Sequence, residues 1–388
     1  MKTYRVLFLM VVVSLALIPA CSEDQKGPLS IDSVEPGIVS VASIENGPGR
    51  STIYFTPPSD NDLLYIEAEY SLNGTDMRTT KVSKFKNAIT VEGFSKAGEY
   101  DVNLYAIDLS ENRSTPVTTQ IQPSRPDILL VADSMSIKTS FGGALFEWSN
   151  TNNAALEFII HIEENGELIP VESHFSGVSN GEFTIRGMDP VKTKVGVIVR
   201  DRWDNESDMI SQELTPLFEE KLDKTKFNKI ILDNDHDMDA WEGKYEFAYD
   251  DNRSTFNHTW AGTGWPQMWT LDLGVSAKLS RVNVLQRQTF FYRHGNPRIM
   301  EIWGTNEEPS QDGSFDKWVK LKDCVARRPS LEGGTADEDQ EHFENGDEYG
   351  LSLDDPEVRY IRFVIKETWG NTGFIHFGEV TFYGQAIQ

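Results

Sequence analysis

The side chains best suited to binding chemistry lie in three polar stretches near the C-terminus. Trp260 and Trp265 stand in a glycine-rich stretch. Arg287, Gln288, Phe291, Arg293, His294 and Asn296 follow in a second, and Trp369, Asn371 and Phe374 occupy a third. A sugar offers an apolar ring face to an aromatic side chain and its hydroxyls to planar hydrogen-bonding groups. Any one of these aromatics is more often core than platform. A gathering of them from three loops is what points to carbohydrate.

Other chemistry is less well represented. Asp233, Asp235, Asp237 and Asp239 alternate, and an EF-hand begun at Asp235 would reach Glu246 at its twelfth position. Ala240 stands where that loop needs glycine, so the string reads as a solvated acidic loop. His258 reads as a structural imidazole before a sugar contact. No G-x-S-x-G, H-E-x-x-H, phosphate loop or dinucleotide fingerprint is present. The chain therefore reads as no enzyme, although with 61 acidic residues a glycosidase pair is not excluded by counting. The formal charge of −25 argues against nucleic acid as a partner.

The N-terminus reads as a targeting segment. Lys2 and Arg5 precede an apolar stretch, Val6 to Ile18, too short to span a bilayer as a mature helix. The stretch closes on Ile18-Pro19-Ala20-Cys21, which resembles a bacterial lipobox with an uncommon proline. That resemblance implies acylation of Cys21 and a lipid anchor. Ser22-Glu23-Asp24 resembles the signal that sends Bacteroidetes lipoproteins to the outer face of the outer membrane, so the expected location is the cell surface. Loss of Lys2 and Arg5 takes the charge from −25 to −27. The second cysteine, Cys324, is left without a partner for an intramolecular disulfide and reads as a buried small hydrophobe.

The elements that must position these groups are strands. Short alternating runs separated by Gly, Pro, Asn and Asp recur to the C-terminus, the pattern of all-β sandwiches. The expected layout is a signal peptide over 1–21, a tether over 22–36, sandwiches over 37–123 and 124–216, a connector over 217–231 and a last domain over 232–388. In the first sandwich Tyr100, Val102, Leu104 and Ala106 share one face of a strand, and the turn Asp108-Leu-Ser-Glu-Asn-Arg-Ser114 follows it. Asp201-Arg-Trp-Asp-Asn-Glu-Ser207 repeats that turn 93 positions later, which argues for tandem copies of one fold. Both units resemble fibronectin type III domains. Leu217–Leu222 is expected to hold a short helix.

The last domain carries the most specific resemblance. Ala248-Tyr-Asp250-Asp-Asn252-Arg-Ser-Thr255 resembles the first loop of discoidin, or factor V/VIII type C, domains. Met268-Trp-Thr-Leu-Asp-Leu-Gly274, Pro297 to Trp303, Val358 to Ile365 and His376-Phe-Gly-Glu379-Val-Thr-Phe-Tyr-Gly384 resemble their later strands, in order. The expected fold is thus a discoidin-like jelly-roll sandwich after two fibronectin-like ones. The whole order is similar to a family of Bacteroidetes surface lipoproteins known as domains of unknown function and encoded in polysaccharide-utilisation loci beside transporter pairs. That resemblance implies non-catalytic capture of a polysaccharide or oligosaccharide, with transporter components as possible partners. The alternative is an adhesion or assembly protein whose discoidin-like end grips another surface component. Sugar-binding discoidin-like modules carry polar contacts at the position of Arg287-Gln288. Many hold one structural Ca2+, for which the resemblance names Ala248, Asp250, Asn252, Thr255, Gly378 and Glu379. Asp251 departs from the pattern, which has glycine there.

Overall fold

The computed structural model describes residues 32–387; Cys21 and the targeting segment lie outside them. The first sandwich packs a three-stranded sheet, ordered Ser40–Gly47, Arg50–Thr56, Ala88–Glu92, on a four-stranded one, ordered Met77–Ser83, Leu63–Ser71, Tyr100–Asp108, Val117–Ile121. The second repeats this plan. Asn180–Ile185, Gly143–Ser149 and Ser136–Ser140 face Glu167–Ser176, Leu156–Glu164, Thr193–Arg200 and Ile210–Leu214. Alternation places Ile53, Ile66, Val102 and Leu104 in one core and Phe146, Trp148, Phe158 and Val197 in the other. A helix absent from the sequence reading, Asp127–Ser134, buries Ile128 and Val131 against the second core.

The repeated turn is the same device twice. Asp108 Oδ1 accepts from the amides of Ser110 and Asn112, and Asp201 Oδ1 from those of Trp203 and Asn205. Ser114 Oγ accepts from Ala106 N and Ser207 Oγ from Val199 N, each at 3.0 Å. In each turn the asparagine amide also reaches back. Asn112 Nδ2 donates to the carbonyls of Asp32 and Val34, and Asn205 Nδ2 to that of Gly93. Arg202 pairs with Glu92 and stacks on Trp203 beside a junction hollow of about 250 Å3.

The helix expected over Leu217–Leu222 does not form. Leu217 bridges to Phe141, Glu220–Lys221 pairs with the last strand, and Asp223 caps a single turn over Lys224–Lys226. Glu219 meets Arg186 of the second domain and Arg281 of the third.

The third domain is organised by one 19-residue strand, Gln267–Leu285. Met268–Asp272 pairs with Val358–Thr368; beyond the left-handed Gly274, Ala277–Leu285 pairs with Glu379–Ala386. One strand therefore serves both layers, bent where its register shifts. Trp269, Leu271 and Leu273 face the core, and so do Ile361, Phe363 and Ile365. The acidic string is solvated at Asp233, Asp237 and Asp239, which are exposed, but not at Asp235. Asp235 is buried against the fully buried Arg362 at 2.9 Å, and Asp239 pairs with Lys229. Cys324 is buried, and burial pushes its thiol up to about 12.

Candidate functional site

Three loops are stitched together at one end of the third domain. Asn257–His258 pairs with His376–Phe377 beneath them. Thr259 Oγ1 donates to Gln267 Oε1, and Gln267 Nε2 donates to Gly373 O at 3.0 Å, which ties the first loop to the third. In the second loop Asn296, fully buried, accepts from Arg287 N and donates to Phe290 O. Trp369 N and Gly370 N donate to Asn296 O and His294 O, so the third loop hangs on the second. A site on these loops is held by buried amide groups rather than by loop stiffness alone.

The loops enclose an open recess of about 450 Å3, lined by Trp241, Glu242, Phe256, His258, Ala261, Arg287 and Phe374. Trp241 is 71% exposed and Trp260 48%, with ring centroids 5.7 Å apart. Two large apolar side chains left in water side by side form a ready stacking surface. The Arg287 guanidinium lies 3.3 Å from the Phe256 ring centre and 4.8 Å from that of Phe290. This sandwich fixes the guanidinium plane while its Nε stays buried without a partner. His258 stacks on Phe374 at 4.7 Å, and burial pulls its pKa below the usual range, so the ring is neutral at pH 7. His376 beneath is shifted further in the same direction, by burial and then by His258 and Arg287. A shallower hollow of about 280 Å3 adjoins at Arg287, lined also by Arg253, Ser254, Gln288 and Thr289.

The residues expected from sequence are divided by the fold. Arg287 lines the recess, Trp260 flanks it and Gln288 lines the adjoining hollow. Arg293 and His294 are exposed around Phe290, at 5.8 and 4.0 Å from its ring. Trp265 and Asn371 are exposed on the same loops. Trp369 packs edge-on against the buried Tyr292 under Arg298, turned away from the recess lining. The sequence reading missed Trp241. Its signal was weak, a lone tryptophan directly after an acidic string, and it is exposed in a left-handed backbone position, φ 57°.

The proposed calcium donors do not fit a divalent ion. Lys224, from the connector, puts its buried ammonium 2.5 Å from Glu379 Oε1 and 2.8 Å from Asp251 Oδ1. A second cation beside that ammonium would meet like charge at short range. Asp250 is taken up locally. It accepts from Asn252 N, and the single proton of Thr255 Oγ1 is shared between its carboxylate and Asn252 O. Ala248, Asn252 and Thr255 thus belong to a loop that closes on itself, whereas Gly378 lies between the last two strands and its amide donates to Leu285 O. Asp251 takes φ 58°, the left-handed conformation its glycine counterpart would adopt, and aims its carboxylate at Lys221 and Lys224. Burial pushes the Glu379 carboxyl above its usual range, and Lys224 pulls it part of the way back.

Three family models match, all described as domains of unknown function: DUF4959 over residues 36–123, DUF5126 over 124–225 and DUF5000 over 241–384. No curated protein matches the chain. Among solved structures, a family 32 carbohydrate-binding module from Clostridium perfringens NanJ, in complex with galactose, is 17% identical over 42% of this chain and 98% of its own, TM-score 0.31. A two-domain fibronectin type III segment of chicken tenascin is 14% identical over 47% of this chain and 99% of its own, TM-score 0.23. A SusE-like protein is 33% identical over 68% of this chain and 100% of its own, TM-score 0.44. Identity at that level along the whole of the relative places this chain in the family of SusE-like proteins.

Proposed function

We propose that the protein is a non-catalytic glycan-binding protein of the cell surface, anchored to the outer membrane through Cys21, and that it holds polysaccharide for a neighbouring uptake system. The observation that carries the binding reading is the pair of exposed tryptophans, Trp241 and Trp260, beside the clamped guanidinium of Arg287. A sugar ring stacks on one indole while the guanidinium hydrogen-bonds a pair of its oxygens. The recess is open and wet, so affinity is modest and a polymer engaging several contacts is favoured over a monosaccharide. The surface reading rests on the lipobox-like Cys21 and on the sequence's resemblance to lipoproteins of polysaccharide-utilisation loci.

The test is affinity electrophoresis of the full chain against a panel of polysaccharides, with Trp241→Ala and Trp260→Ala. Trp241 is largely and Trp260 about half solvated, so truncation should change the melting temperature little and weaken binding about tenfold. Unaltered binding in both variants would move the site elsewhere. Release of cut products from the bound polymer would make the protein an enzyme.

A further inference from the structure

We propose that the glycan recognised at this recess is anionic, bearing carboxylate or sulfate groups that seat on Arg287 and Arg253. The proposal rests on the glycan-binding reading and goes beyond it in naming the ligand's charge.

The observation behind it is where the unpaired arginines are. Residues 232–387 contain nine arginines. Six meet a carboxylate: Arg281, Arg298, Arg327, Arg328, Arg359 and Arg362. Among the described residues Arg253, Arg287 and Arg293 do not, and all three stand at the loop end of the domain. Arg253 and Arg287 line the same shallow hollow, and Arg287 and Arg293 share the Phe290 ring. In a chain of net charge −25, guanidiniums readily find carboxylates. Three left without one, in adjoining loops, form a local positive patch on an acidic protein.

The side chains are also prepared for an anion. Arg287 is held flat between Phe256 and Phe290, and Arg253 is held by the carbonyls of Phe343 and Glu344. Both keep a buried Nε without a partner. Fixed guanidinium forks match the two oxygens of a carboxylate or sulfate and lose little rotamer freedom on binding. No carboxylate lines the shallow hollow, and Glu242 is the one that lines the larger recess. The arrangement places the acidic group over the hollow and the sugar ring on Trp241 and Trp260.

The experiment uses the full chain in affinity gels containing polygalacturonate, a sulfated galactan or a neutral galactan, at low and high salt. The expected result is retardation by an acidic polymer, weakened by salt and reduced about tenfold or more by Arg287→Gln. Whichever acidic gel retards the chain more identifies carboxylate or sulfate. Arg293→Gln, at an exposed position, gives a smaller loss and serves if Arg287→Gln lowers the melting temperature. Equal retardation by the neutral galactan, or salt-independent binding, overturns the anionic assignment and leaves the glycan-binding reading standing. No retardation in any of the three gels overturns the anionic assignment. Failure on the wider polysaccharide panel as well would overturn the glycan-binding reading.

Discussion

Replacing Lys224 by methionine should destabilise the third domain more than any substitution at the recess. The side chains of Lys224 and Glu379 are 6% and 4% exposed, and their charged atoms are 2.5 Å apart. Glu379 Oε2 already lacks a hydrogen-bond partner. Methionine keeps the stem and removes the cation that, alone among the described residues, pairs with this buried carboxylate. Breaking a buried pair from one side costs about 3–5 kcal/mol. At roughly 2–4 °C per kcal/mol for a domain of this size, melting should fall by about 6–20 °C. Thermal unfolding by tryptophan fluorescence suits the measurement, because seven of the nine tryptophans lie in residues 232–388. Lys221→Ala, which loses only an exposed pair with Asp251, should cost at most about 1 kcal/mol. The double variant Lys224→Met, Glu379→Leu should recover most of the loss, because no buried charge is left alone. The pH dependence has a definite sign. A carboxyl whose folded pKa is raised binds protons more readily when folded, so its penalty grows as pH rises from the unfolded value through the folded one. Without Lys224 that penalty enlarges, and the deficit should be smaller at pH 5 than at pH 8. Chelator should leave the unmodified protein's melting unchanged. A chelator-sensitive melting temperature, or a Lys224→Met protein as stable as the parent, would refute the argument that an internal ammonium stands where a metal was expected.

Two further tests concern buried charge. His376 is buried, and its pKa is lowered by burial, His258 and Arg287. Below about pH 6.5 the unfolded chain takes up a proton the folded one refuses, so stability should fall with falling pH by up to about 1.4 kcal/mol per unit from this group. His376→Gln should flatten that slope, and parallel pH–stability curves would contradict the assignment. Arg362→Met strands the buried Asp235 carboxylate and should cost about 3–5 kcal/mol in urea unfolding, with much of it recovered by also replacing Asp235 with Asn. A loss under 1 kcal/mol would mean that Asp235 finds another partner.

What the sequence discloses and what it hides follow from how local each signal is. Trp269, Leu271 and Leu273 alternate within one strand, and that strand's burial is readable from its own residues. Thr270 is buried too, because the strand is covered on both faces: Thr270 Oγ1 donates to Asp235, and its carbonyl accepts from Tyr245. The turn at Asp108 repeats at Asp201 because the amides that its aspartate accepts from lie within the next four residues. The helix Ala336–Asn345 was legible but unread; Thr335 and Glu338 form a capping box. Lys224 was not legible. It stands in a charged run with nothing nearby to mark it as buried, and its carboxylate partner is 155 positions away. Asp235 was misread for the same reason, since Arg362 lies 127 positions on. The recess combines both cases: residue types nominated Trp260 and Arg287, whereas Trp241 joins them only through the folding of a segment that shows no alternation.

The last strand has a consequence for access. Glu379 begins it beside the Asn257–His258 pairing under the recess, and seven residues later Ala386 ends it. At ~3.3 Å per residue that is a run of about 23 Å. The connector joins at the far end, where Glu220 pairs with Gly384 and Glu219 meets Arg186 of the preceding domain. The mouth of the recess and the neck of the domain therefore lie at opposite ends of the same strand. With a glycan in the recess as proposed, a long polymer crosses the mouth in either direction without meeting the neck of the domain, so its length is not limited by the protein that holds it.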